Sequence, residues 1–194
     1  MQKIKISATL GIISLACALL IALVNLATSP IITKHDKETE VSACKEIFSE
    51  YDEDNFFEVE NLDGKDSRIL KIFLVKDNDN VEGSIYKVSG KNAYGTITLM
   101  VGITKENTVK QVVFIENGQS FASTVNNHVS SNYPSAESTD VHLGAAPKAS
   151  SSSAGELSLS SVAGIDVKCG ATYGATLVKE LVTVALEDAI KEAE

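Results

Sequence analysis

Charge is missing from one long stretch of this 194-residue chain: residues 6–33 contain no Asp, Glu, Lys or Arg. A run of that length is too long for a buried core helix and sufficient for a hydrocarbon layer, which takes roughly 20 residues. Cysteine is scarce: the three present lack metal-ligand spacing, the three histidines are scattered, and no HExxH occurs, which argues against a zinc site. Basic charge is thin as well. All 26 acidic residues follow position 33, so setting aside Lys3 and Lys5 leaves 15 basic against 26 acidic residues, a net of −11. A surface of that sign without a basic stripe repels phosphate backbones and excludes nucleic acid as a partner.

The apolar run itself reads as a single-pass anchor. Lys3 and Lys5 precede it, and Asp36, Glu38 and Glu40 follow soon after Lys34. The positive-inside rule then keeps the N-terminus in the cytoplasm and sends everything after the run outside. A cleaved signal peptide has an apolar core of about 7–15 residues, shorter than this one. Ser14-Leu15-Ala16-Cys17 is an imperfect lipoprotein box, because Ser14 stands where an aliphatic residue is expected and the run continues past Cys17. Asn25 and Pro30 lie toward the outer end, where an amide and a helix stop are tolerated. Cys44 and Cys169 both fall outside, where a disulfide and two free thiols are equally compatible with the composition.

Residues 34–55 are expected to form a connecting helix, with Val41, Cys44, Ile47 and Phe48 on one face and the polar segment 52–55 ending it. Residues 56–194 then form one domain, a size that supports a single core. Strand-like segments at 68–76, 81–89, 94–104 and 108–116 are rich in Ile, Val, Phe and Thr, and short Asn-, Asp- and Gly-bearing turns separate them. Links so short cannot hold helical crossovers, so an antiparallel meander is predicted. A short helix is expected near 120–131, an Ala/Ser-rich loop at 144–161, and an amphipathic helix from 175 to the end, with Val178, Val182, Ala185 and Ala189 on one stripe. The fold class is α+β: one transmembrane helix, then an extracytoplasmic domain with an antiparallel sheet and flanking helices.

The chemistry concentrates in Asp166-Val167-Lys168-Cys169-Gly170-Ala171-Thr172-Tyr173-Gly174-Ala175-Thr176. Small, glycine-containing backbone leading into a helix presents unpaired amides and the positive end of the dipole, which favour an anion. A threonine at that point supplies a hydroxyl, although such a residue is more often only the helix cap. Asp166 to Thr172 resembles the Asp-x-x-Ser/Thr-Gly-Ala-Thr flavinylation motif of the FMN-binding domain family, with Cys169 in the Ser/Thr position. The stretch 91–103, with Tyr94-Gly95, is similar to the family's glycine-rich turn and strand, and Glu116-Asn117-Gly118-Gln119-Ser120 falls where the family has a Glu-Thr-Pro-Gly type loop. With its anchor and size, the chain resembles the single-anchor, flavin-bearing components of Rnf-type ion-translocating electron transport complexes and their homologues in sodium-pumping NADH:quinone reductases.

The resemblance implies FMN held by a phosphoester on Thr172 and installed by an FMN transferase. Asp166, Cys169, Gly170, Ala171, Tyr94 and Gly95 would lie around it. It also implies electron relay within an assembly of other membrane subunits, so the chain would be a redox subunit rather than an independent catalyst; no nucleophile or acid–base dyad stands out. Gly-Ala-Thr recurs at 174–176, which leaves Thr176 as the alternative acceptor, and Asp166 serves either transferase recognition or an ordinary cap. A freestanding tethered flavoprotein and a non-redox anchored binding module are the competing functions.

Overall fold

Four of the five strands grow from the β-branched segments. The computed structural model describes residues 2–78, 80–134 and 155–193, with backbone alone at 2–10, 27 and 30–33. The strands are β1 (Phe56–Glu58), β2 (Ile69–Asp77), β3 (Asn80–Asn92), β4 (Gly95–Thr104) and β5 (Val109–Asn117), forming one antiparallel sheet in the order β1-β2-β3-β4-β5. Asn78 (φ 50°) and Asn107 (φ 57°) take the left-handed conformation their short amide side chains tolerate, and each turns the chain between neighbouring strands. The meander predicted from the sequence is therefore present, with the three-residue edge strand β1 added.

The sheet is covered on both faces. Ile97, Leu99, Val101 and Ile103 of β4 join Tyr86 and Val88 in a cluster with Val178, Leu181, Val182 and Ala185 of the C-terminal helix. On the other face Val75, Ile85 and Met100 pack against Ala43, Cys44, Ile47 and Phe48. Residues 97–103 are consequently buried without alternation, the pattern of a strand between two layers. Gly102 permits the close approach: a Cβ there would lie 2.1 Å from Ile47 Cγ2.

The helices are α1 (Gln2–Ile47), α2 (Ala122–Asn132), α3 (Leu159–Gly164) and α4 (Thr172–Ala193). The expected break between an anchor ending at 33 and a separate connecting helix does not occur, because α1 runs 46 residues without interruption, past position 30. It ends at Ile47, ahead of the polar segment expected to stop it, and Glu53–Asn55 forms a short 3-10 turn instead. The chain divides into two units, Met1–Glu40 and Val41–Glu194. Among the described residues no helix is long and apolar enough to cross a membrane. The described side chains of the apolar run cover an unbroken stretch of only 16 residues, 11–26, and both ends of the expected span lie outside them. Of the Ala/Ser-rich loop, 144–154 lies outside the described residues, and the remainder is structured. Leu157 pairs with Val109 (2.8 and 3.2 Å), and Ser158 caps α3.

Candidate functional site

Three segments distant in sequence meet at one end of the sheet. Gly95, at the turn into β4, has φ 144°, and a Cβ on it would lie 2.0 Å from Gly118 O, so only glycine permits this approach. Gly118 N–H donates to Thr96 O (2.8 Å) and Ser120 N–H to Tyr94 O (3.2 Å), fastening the segment after β5 onto the β3–β4 turn. Asn92 joins both to the start of α4: its Oδ1 accepts from Tyr94 N–H (2.8 Å), and its Nδ2 donates to Tyr173 O (3.1 Å). Gln119 completes the junction, with Nε2 donating to Asn92 Oδ1 (3.1 Å) and Gly95 O (2.8 Å).

The Asp166 to Thr172 motif wraps the other side. Asp166 Oδ1 accepts from Lys168 N–H (2.9 Å), a local Asx turn on an exposed segment. Ala175 N–H donates to Ala171 O (3.0 Å) as the first helical bond, so the amides of Thr172, Tyr173 and Gly174 precede it. They form the positive end of a 22-residue helix. The helix begins at Thr172, three residues before its expected start. Thr172 is exposed, and its Oγ1 donates to Cys169 O (2.8 Å); a capping hydroxyl would instead accept from an amide of the first turn. Gly174 holds α4 against α2, because a Cβ there would lie 2.4 Å from Val125 Cγ2. Gly170 passes Thr124, and Ala171 rests on the core.

Between these walls lies a cleft of about 240 Å³, its lining including Tyr94, Gln119, Phe121, Thr172 and Tyr173. The Tyr94 and Tyr173 rings stand 5.4 Å apart, inclined at 32°. Both are open to solvent, at 44% and 67%, as is Phe121 at 58%. Of eleven aromatic residues in the chain, these three line one cleft and are exposed there. The volume is somewhat below the roughly 300–1,000 Å³ that encloses a whole small molecule, so it suits a planar ring with the remainder in solvent. An aromatic ring bearing a phosphate fits this donor set: rings to stack on, helix amides for the anion, and a hydroxyl within the same turn.

Thr176 lies in a different groove, with Arg68, Lys179 and Glu187. Lys179 is engaged there, its Nζ donating to Ala163 O (2.7 Å) and Ile165 O (3.0 Å). Cys169 is half-buried in the motif and Cys44 is buried in the cluster on the far side of the sheet, and neither is in a disulfide. His128 of α2 is buried, which pushes its imidazole pKa below the ordinary value, while the Asp166 carboxylate acts in the opposite direction. Of the expected residues, Tyr94, Gly170, Ala171 and Thr172 line the cleft, Gly95 stands against Gly118, and Asp166 and Cys169 do not line it. Asn92 and Gln119 fall in the stretches 91–103 and 116–120 that the resemblance marks without singling them out, and Phe121 lies just beyond and is not marked; the Gly95–Gly118 contact brings the two stretches together. No protein-family model matches the sequence, and no curated protein is significantly similar to it.

Proposed function

We propose that Thr172 carries FMN through a phosphoester and that the chain is the electron-carrier subunit of a membrane-bound, ion-translocating electron transport complex. The observation that carries this reading is the placement of the Thr172 hydroxyl. It is exposed, does not cap α4, and belongs to the residues lining the tyrosine cleft. In the attachment, Thr172 Oγ1 forms a bond to phosphorus, the FAD pyrophosphate bond breaks, AMP departs, and the hydroxyl proton passes to the transferase. The chain's own groups then have defined tasks. The amides of Thr172, Tyr173 and Gly174 face the phosphate charge. Tyr94 and Tyr173 offer stacking faces, and the Gly95–Gly118 contact holds the segment bearing Gln119 against the turn bearing Tyr94. When bound, FMN supplies the one- and two-electron chemistry, and the protein supplies tether and surroundings.

The membrane assignment rests on the charge-free run at 6–33 and the lysines before it. It places the N-terminus in the cytoplasm and the domain of the sheet and α4 outside, where a covalent link keeps a flavin that diffusion would dilute. The partners are then other membrane subunits that supply and withdraw electrons, and the FMN transferase during maturation.

The test is the mass of the peptide containing Thr172, from chain produced with an FMN transferase in an exporting host. An FMN adduct in the native chain and in Thr176→Ala, absent from Thr172→Ala, supports the reading. An unmodified native peptide removes it, and an adduct that survives Thr172→Ala but not Thr176→Ala moves the attachment to the second repeat.

A further inference from the structure

Gln119 is buried, at 7% exposure, yet lines the cleft. The orientation of its amide is determined by its partners. Gly95 O can only accept, so the atom 2.8 Å from it must be the NH2 group. Asn92 is oriented the same way, because Tyr94 N–H can only donate to its Oδ1 and Tyr173 O can only accept from its Nδ2. Two side-chain amides are thereby locked by three backbone groups, and one polar atom is left over. Gln119 Oε1 has no hydrogen-bond partner among the described residues, and it lies 3.4 Å from where a Gly174 Cβ would stand, beside the first turn of α4. That oxygen is not among the fully buried unpaired atoms, so it keeps an open side, and the open space that Gln119 lines is the cleft.

An acceptor there selects a ligand with a donor on its edge. We propose that Gln119 Oε1 is the specificity-determining group of the cleft and accepts the imide N–H of a flavin ring seated against Tyr94 and Tyr173. The inference rests on the flavin reading above and adds which edge of the ring turns inward. Oxidised isoalloxazine carries a single N–H, on the imide nitrogen N3, and its other edge heteroatoms are acceptors that Gln119 Oε1 would repel. The orientation therefore follows from the donor count.

The test uses full-length chain from cells lacking the transferase, flavinylated in vitro by the transferase with FAD or with FAD methylated at N3. The mass of the Thr172 peptide reports attachment. Flavin emission reports seating, because a phenol ring in contact with an excited flavin quenches it. Gln119→Leu and N3-methylation are each expected to lower the ratio of seated to released ring by about fivefold, the worth of one neutral hydrogen bond, with emission rising accordingly. Applied together they should do no more than either alone. The methylated flavin leaves the protein unaltered, so any folding defect in Gln119→Leu does not decide the outcome. Full attachment with emission unmoved by N3-methylation, or with the two effects adding, overturns the Gln119 assignment and leaves the flavin reading standing. An unmodified Thr172 peptide overturns the flavin reading and this inference with it.

Discussion

Two glycines make close approaches beside the cleft and differ in how much room they have to give. A Cβ on Gly95 would meet a backbone oxygen, Gly118 O at 2.0 Å, from a φ of 144° that side chains rarely adopt. A Cβ on Gly174 would meet a methyl, Val125 Cγ2 at 2.4 Å, on a side chain that can turn away. Gly95→Ala should therefore lose at least about 2 kcal/mol, strain and overpacking together, and Gly174→Ala about 1–3 kcal/mol by overpacking alone. Urea unfolding at unchanged m checks the order; equal midpoints for the two variants would mean the β3–β4 turn yields as easily as a rotamer. Thr172 stands out in the sequence only through the resemblance of 166–172 to a flavinylation motif, since its spacing alone reads equally as a helix cap. Gln119 is legible only as a member of the 116–120 segment, since its orientation is set by Asn92 and Gly95 from another segment, and a glutamine in a turn says nothing of them.

At the level of elements, hydrophobic periodicity located β2 to β5 to within three residues at either end, because each strand is long enough for its β-branched residues to accumulate. It missed β1, whose three residues are too few to alternate, and α3, whose Leu-Ser-Ser-Val-Ala-Gly composition reads as loop until Ser158 caps it and Lys179 holds its end. Helix α2 carries a testable pH response. Asn132 Nδ2 lies 3.4 Å from His128 Nδ1 and is a donor, which leaves the proton on Nε2, a buried atom without a partner. Burial lowers the pKa of this imidazole below its ordinary 6.5. As pH falls below that value, the unfolded chain takes up a proton that the folded chain refuses. The associated stability is full above 6.5 and is lost as pH falls toward the depressed folded value. Asp66, held down at about 2 by Arg68, titrates well below this window, and Glu46, raised by burial, acts with the opposite sign and is common to any variant. His128→Leu should flatten the decline in urea midpoint between pH 6.5 and 5 and stay within about 1 kcal/mol of the native chain at pH 7.5, since the leucine removes an unpaired polar atom. Parallel declines in both proteins would place the acid sensitivity elsewhere.

For the whole molecule, the division of labour between its two units leads to a sharper requirement. Among the described residues, both hydrophobic clusters lie within Val41–Glu194 and include none from the charge-free run. Removing residues 1–33 should thus leave the stability to urea within about 0.5 kcal/mol of the full chain, as expected when the two parts pack independently. The same removal should abolish membrane association, which an exposed apolar run of this length otherwise drives. Full-length chain should sediment with membranes and resist alkaline carbonate, while the shortened chain stays in the supernatant. Release of the full chain by carbonate would end the anchor reading. Sidedness is the stricter condition: with Lys3 and Lys5 retained in the cytoplasm, protease added to intact spheroplasts should digest the sheet domain, whereas in an inverted orientation it would be spared. An inverted domain would place Thr172 on the opposite side of the bilayer from an exported transferase, and no arrangement of the cleft could then give it a flavin.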